Sequence, residues 1–417
     1  MLAGVLLFAL ALGQGAPSGA PQPASGVIAD IRVHGNAATP DEEVIGLAGV
    51  SVGMAVDQDT TKRAEASLTA SRRFEHVEVL ERFASIADPT QILLVIIVDE
   101  GPVKVEGRGD AARIVQSGGP HVLFLPLLSY EDGYGFTYGA RLALPDPIGP
   151  HSRISFPLTW GGDRRAGTEL DKRLEHGPID RLQAGVTVSG RTNPYFDESD
   201  DRVRVAVRAE RAIVGRLRAG VTGSWQRVSF MDTRDRLLDG GVDLVLDTRL
   251  DPLLPRNAVF ARAAWDRVSV TNGIAANHTV ADGRVYIGLF GSTVVVLHGL
   301  RDGSNQPLPP YLEPLLGGME TLRGFEAGYR IGDTLVAASS ELRVPLSSPL
   351  RLARLGVSAF FDVGTVYPAD ERLSDQRWDR GAGGGVWLSA AVVRLSLDVA
   401  HGVGGSTRVH FGTAVAF

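Results

Sequence analysis

The chain has 417 residues, enough for one large barrel plus a smaller domain or for two or three compact domains. Its net charge of -6 excludes the bulk basic character of a nucleic-acid binder, and Arg supplies nearly all the cations, with Lys only at Lys62, Lys104 and Lys172. Cysteine is absent, which excludes disulfides, thiolate metal sites and cysteine nucleophiles.

Residues Leu2 to Leu12 form a short apolar run, followed by Gly, Pro, Ser and Gln up to Ser25. This is the pattern of a secretory signal core with a small-residue cleavage region. Ala11-Leu12-Gly13 is one cleavage candidate, although no Lys or Arg precedes the core. Residues 1–24 are therefore read as a signal peptide and polar spacer. The run is too short to span a bilayer as a helix, and no later stretch of about 18 apolar residues exists.

Val27 to Val33 alternates apolar with polar residues and ends at Gly35-Asn36, a strand and a turn. Thr39-Pro40-Asp41-Glu42 predicts a helix start, with a capping hydroxyl, Pro at the first helical position and acids in the first turn. That helix carries Val44, Ile45 and Leu47 and stops at Gly49. A second helix is expected from about Asp59 to Ser71, with Ala64 and Leu68 on one side. Phe74 to Leu80 reads as a strand, and Ile92 to Val98 as a continuous apolar strand flanked on both sides.

This order is strand, helix, helix, strand, strand. With Ile31-Arg32-Val33-His34-Gly35-Asn36 at its start and Phe74-Glu75-His76-Val77-Glu78-Val79 after the second helix, it resembles a POTRA domain over residues 25–102. POTRA domains are periplasmic modules that precede outer-membrane barrels and receive client polypeptides. The resemblance implies that a client strand adds to the edge formed by Phe74, Val77 and Val79. Residues 103–118 read as a polar, Gly-bearing linker.

From residue 119 to the end, helical periodicity gives way to segments of about ten residues that alternate strictly. Phe136, Tyr138, Ala140, Leu142 and Leu144 face one way, and Thr137, Gly139 and Arg141 the other. Val203, Val205 and Val207 oppose Arg202, Arg204 and Arg208; Val242, Leu244 and Leu246 oppose Asp243 and Asp247. Val285, Ile287 and Leu289 oppose Asp282 and Arg284, and Val393, Leu395, Leu397 and Val399 oppose Arg394, Ser396 and Asp398. A soluble sandwich also alternates, but this segment length and the steady charge on one face are what a membrane barrel with a wet interior requires. Segments start near 121, 134, 152, 167, 182, 202, 217, 236, 257, 278, 293, 334, 353, 380, 391 and 407, about sixteen antiparallel strands, the fourth being the weakest. Short connections, such as Asp132-Gly133 and Gly291-Ser292, are expected on one side. In the last segment, His410, Gly412, Val415 and the terminal Phe417 resemble the C-terminal signal that outer-membrane barrels show to their assembly machinery.

Between the eleventh and twelfth strands lies a long connection, residues 304–333, carrying Gly317-Gly318-Met319-Glu320-Thr321-Leu322-Arg323-Gly324-Phe325. A loop of this length is uncommon and usually functional or disordered. Two strands on stands Phe360-Phe361-Asp362-Val363-Gly364, whose spacing puts Phe360, Asp362 and Gly364 on one face. The two motifs, in this order after a POTRA-like module, resemble the BamA/TamA-type family of outer-membrane assembly and translocation proteins, which join POTRA domains to a sixteen-stranded barrel. The resemblance implies that the 304–333 loop folds into the lumen and that Leu322-Arg323-Gly324-Phe325 docks on Phe360, Asp362 and Gly364. Glu341, inward by parity on the preceding strand, is a second anion for Arg323. The layout departs from the family in having room for one POTRA domain, where BamA has five, TamA three and two-partner transporters usually two.

No His-Glu-x-x-His, Gly-x-Ser-x-Gly or Walker-type loop occurs, and Gly381-Ala382-Gly383-Gly384-Gly385 reads as a Gly-rich barrel strand. The expectation is a non-enzyme without cofactor, metal or nucleic-acid partner. It would sit in the bacterial outer membrane with its POTRA domain in the periplasm, and its partners would be the lipid bilayer, unfolded outer-membrane or secreted polypeptides, and periplasmic accessory proteins. It would insert or export those polypeptides. A two-partner-type secretion transporter and a passive channel are the alternatives.

Overall fold

The computed structural model describes residues 26–415, except 35, 37–38, 58, 72, 75, 85–87, 89, 100–102, 107–112, 117–121, 251–253, 272, 274, 347–352 and 391–392. The expected signal segment, the side chain of Val415 and Phe417 lie outside the described residues. The chain forms two compact units, Met1–Ser117 and Gly118–Phe417.

In the first unit the expected element order appears as β1 (Gly26–His34), α1 (Asp41–Ala48), β2 (Ala55–Val56), α2 (Thr60–Ala70), β3 (His76–Phe83) and β4 (Gln91–Asp99). The sheet order is β2-β1-β4-β3, with β1 parallel to β4 and β3 antiparallel to it. Ile92, Leu94, Ile96 and Val98 of β4 bury one face, where Val44 of α1 and Ala64 and Leu68 of α2 are also buried. Two local readings change. Pro40 is extended (ψ 148) and precedes the first helical residue, so Thr39 sits one position outside the cap. β3 begins at His76, and Phe74 lies before it with its ring buried. An apolar Phe next to a strand pattern gives no sign of whether it extends the ladder or plugs the core. The expected linker contains a hairpin, β5 (Val103–Glu106) with β6 (Arg113–Gln116).

In the second unit sixteen strands form one antiparallel sheet in chain order. They are β7 (Leu123–Glu131), β8 (Gly135–Pro145), β9 (Ser152–Gly161), β10 (Arg164–Arg173), β11 (Arg181–Asn193), β12 (Glu198–Val214), β13 (Leu217–Phe230) and β14 (Thr233–Asp247). There follow β15 (Ala258–Val270), β16 (Ala275–Gly288) and β17 (Val294–Ser304), then a loop holding the short pair β18 (Leu315–Leu316) and β19 (Arg330–Ile331). The sheet resumes with β20 (Thr334–Pro345), β21 (Ala353–Tyr367), β22 (Asp379–Ala390), β23 (Val393–Gly402) and β24 (Thr407–Val415). The end strands come back together, with the rings of Tyr130 on β7 and Phe411 on β24 meeting edge-on at 5.7 Å. Asp132-Gly133 follows an odd-numbered barrel strand and Gly291-Ser292 an even-numbered one. The two turns therefore lie at opposite ends of the barrel, not on one side.

Parity decides what each residue faces. On β21, Phe360 is 5% exposed while its neighbour Phe361 is 48% exposed. Outward positions are apolar and uncovered, among them Tyr138, Val205, Val207, Trp225, Val242, Leu244 and Leu397. In water such a surface would aggregate; in hydrocarbon it is the solvated face. The inward face carries ion pairs, including Arg181 with Asp171 (2.9 Å), Arg202 with Asp200 (2.7 Å) and Arg208 with Asp243. Among the described residues no helix is long and apolar enough to cross a membrane.

Candidate functional site

The site is built by the loop between β17 and β20, which lies across the inside of the barrel. Near its start, Tyr311 packs with Val228, Phe230, Leu237 and Val270 on the wall formed by β13 to β15. Its hydroxyl donates to Asp235 at 2.6 Å, and its carbonyl accepts from Arg202 at 2.7 Å. Farther on, Leu316, Leu322 and Phe325 bury against Leu335, Ala337 and Val366 on β20 and β21. Both halves of the loop are thus seated on the wall by apolar side chains. A tight internal turn holds the motif: Gly318 N–H donates to the Phe325 carbonyl, and Thr321 Oγ1 donates to the Gly317 carbonyl.

Arg323 is 6% exposed and Asp362 2% exposed. Arg323 donates from Nε to Asp362 Oδ2 and from Nη2 to Asp362 Oδ1, both at 2.8 Å, a bidentate fork. Its backbone N–H donates to the same carboxylate at 3.1 Å. Nη1 donates to Asp398 Oδ2 on β23 at 3.1 Å, and Glu341 stands 3.5 Å away, itself bonded to Arg343. Ser339 accepts from Nη2 and donates to Asp362, which fixes the carboxylate's orientation. The guanidinium lies 3.3 Å from the centre of the Phe360 ring. One cation therefore faces three carboxylates from β20, β21 and β23, and a second Arg shares one of them.

Gly324 has φ +96, a conformation open to glycine, and an added Cβ would stand 2.6 Å from Gly402 N. The wall opposite is cut back to match. A Cβ at Gly381 on β22 would run into the Arg323 carbonyl, and one at Gly364 would meet Leu316 at 2.7 Å. The Gly-rich run 381–385 is a barrel strand, and the missing side chain of Gly381 is what lets the loop backbone approach.

His410 on β24 is 1% exposed and joins the site. Gly324 N–H donates to His410 Nε2 at 3.0 Å, which requires the proton on Nδ1; Nδ1 then donates to Asp132 at 2.5 Å. The loop is thereby tied to the last barrel strand and to the turn after the first. Glu326 adds an ion pair to Arg408 at 2.9 Å. Gly412 lies near the loop too, since an added Cβ would stand 2.8 Å from Met319.

Of the sequence-predicted residues, the structure brings together Leu322, Arg323, Gly324, Phe325, Glu341, Phe360, Asp362, Gly364 and His410. The edge residues Phe74, Val77 and Val79 belong to the other unit. Val79 N–H points away from β4 and donates to Glu65 of α2 at 3.0 Å, so part of that edge is covered. Sequence reasoning missed Asp398, Asp132, Ser339 and Glu65 as partners. Parity placed Asp398 inward, which was a usable signal; Asp132 sits in a turn that has no parity. Among the described residues no group of three or more His, Asp or Glu is placed to hold a metal.

The chain matches the Omp85 superfamily domain over residues 137–417. A comparison with curated protein sequences returns no match. Among solved structures it is similar to BamA from Haemophilus ducreyi lacking POTRA domains 1–3, at 15% identity, TM-score 0.62, covering 94% of this chain and 84% of that one. It is also similar to CdiB from Acinetobacter baumannii (13%, TM-score 0.52, 94% and 74%) and to CdiB from Escherichia coli (13%, TM-score 0.51, 97% and 93%).

Proposed function

Because the chain belongs to the Omp85 superfamily, we propose that it acts in the bacterial outer membrane, inserting or exporting polypeptides through its sixteen-stranded barrel. The observation that carries this reading is the loop locked across the lumen by Arg323 and Asp362. A passive pore needs no such lock between a loop and its wall; a machine that handles a chain needs a wall that can be rearranged. In this reading residues 25–102 are a POTRA domain in the periplasm, and the end of the barrel carrying the 304–333 loop is extracellular.

The POTRA reading rests on the element order and on β3 standing at the sheet edge. An extended client segment adds there through backbone hydrogen bonds, and displacing Glu65 from Val79 N–H is part of binding. The test is reconstitution of the full chain in liposomes with an unfolded outer-membrane barrel as client. Protease-protected, heat-modifiable client should accumulate faster than in empty liposomes, and Arg323→Ala should slow it. Client insertion at the empty-liposome rate, together with rapid flux of small sugars, would replace this reading with the channel.

A further inference from the structure

The outer wall carries a feature that the loop and its lock do not use. On the lipid-facing side of β9 to β13, at the end from which the 304–333 loop departs, lies a groove of about 510 Å³. Leu158, Ala166, Val188 and Val203 are its floor and Trp160 borders it. Arg164 and Arg227 stand at its rim. Gly190 has no side chain to fill it, and Arg164 reaches across Gly190 to Asp201, a loose contact of 3.8 Å between two groups that are each 58% exposed.

Beyond the groove the charge is one-sided. Arg227 on β13 is directly opposite Arg236 on β14, and Arg234 is opposite Ser229. All three arginines are exposed and outward by parity. Like charges directly across a ladder repel. Of the carboxylates nearest in sequence, Asp239 accepts from Ser224 and Asp235 is bonded to Tyr311, both inside the barrel, while Asp232 lies in the exposed turn between β13 and β14. Among the described residues, Asp201 is the one carboxylate on the outward positions of β9 to β14.

The height of the cluster is set by its neighbours. Trp225 is two residues from Arg227 on the same face, about 6.6 Å along the strand. Exposed Trp marks the level where hydrocarbon meets headgroups. The arginines therefore stand at headgroup level, and the groove floor runs from them into the apolar band.

We propose that this surface is a binding site for an outer-leaflet glycolipid bearing phosphate monoesters and acyl chains. A phosphate lies between Arg227 and Arg236, relieving their repulsion through bidentate guanidinium contacts, and an acyl chain lies on the groove floor against Trp160. The leaflet assignment rests on the orientation proposed above; the groove and its charge do not.

The experiment is native mass spectrometry of the full-length protein in detergent, titrated with bisphosphorylated lipid A, with the same glycolipid stripped of phosphate, and with phosphatidylethanolamine. Bisphosphorylated lipid A should bind at least about tenfold more tightly than either other lipid, as expected for charge-assisted phosphate contacts. Arg227→Gln with Arg236→Gln should abolish that preference, whereas Arg211→Gln, near the opposite end of β12, should keep it. Equal binding of the phosphorylated and stripped glycolipids by the wild-type protein overturns the site, and this comparison needs no variant to fold. Preference retained in a double variant that keeps its unboiled gel mobility overturns it too. Orientation is read separately, by labelling Asp232→Cys on intact cells with an impermeant maleimide. Labelling is expected; its absence with preserved phosphate preference overturns the outer-leaflet assignment and the orientation, not the phosphate site.

Discussion

Replacing Arg323 with Ala should release the loop from the wall. The magnitude follows from burial. A hydrated ion pair is worth roughly 0–1 kcal/mol, whereas removing one partner of a buried, hydrogen-bonded pair costs on the order of 3–5 kcal/mol. The side chains of Arg323 and Asp362 are 7% and 3% exposed, which puts the pair at the buried end of that range. The loss is compounded because Asp362, Asp398 and Glu341 all lose the cation that stands between them. A cost of 3–5 kcal/mol is a shift of roughly a hundred- to several-thousand-fold in the ratio of docked to undocked loop. The chain contains no cysteine, so Leu322→Cys supplies a single thiol at a fully buried loop position. Its maleimide-labelling rate in the folded, membrane-inserted protein reports how often the loop leaves the wall. In that background Arg323→Ala should accelerate labelling by the factor above. Arg323→Lys should fall between, keeping the charge but not the planar fork. A labelling rate for Arg323→Ala within about fivefold of its parent, as a screened pair of up to about 1 kcal/mol would give, would refute the lock.

Four further outcomes are expected. His410→Ala should leave the buried Gly324 N–H without an acceptor and lower barrel stability by about 1–3 kcal/mol in urea melts; an unchanged midpoint would show that Gly324 finds another partner. Gly381→Ala places a methyl where the Arg323 carbonyl lies and should undock the loop by about 1–3 kcal/mol, read by the same thiol-labelling assay, while Gly283→Ala, with open space around it, should not. Glu65→Ala frees Val79 N–H on the β3 edge and should raise client-peptide affinity, whereas Val79→Pro in a folded N-terminal unit should lower it; the edge assignment is lost if neither change moves binding. Arg63 and Thr60 hold the Asp57 carboxyl down to about 2, so the folded pKa is depressed. Its contribution to the N-terminal unit is therefore present above about pH 3.9, the unfolded value, and is lost as pH falls through about 2. Asp57→Asn should reduce the pH dependence of unfolding in that window, and a superimposable acid-denaturation curve would count against it.

Strand count and facing were written locally. Each strand borders hydrocarbon on one side and a wet lumen on the other, so a period of two residues fixes which way Phe360, Asp362, Glu341 and Asp398 point before any contact is known. The weakest predicted segment, near residue 167, still became β10, because pairing with both neighbours specifies a strand that its own mostly polar sequence does not. What parity cannot tell is which inward residues meet. Asp398, His410 and Asp132 reach the Arg323 motif from strands and a turn brought together only when the sheet curves round on itself. Their place in the site is a property of closure. The same holds for Gly381, whose lack of a side chain has meaning only against the Arg323 carbonyl, and for Phe74, which the core of its unit takes from the strand edge. Local alternation reports the solvent on each side of a strand; convergence across the lumen depends on sheet curvature and on where a long loop comes to rest, and neither has a sequence period.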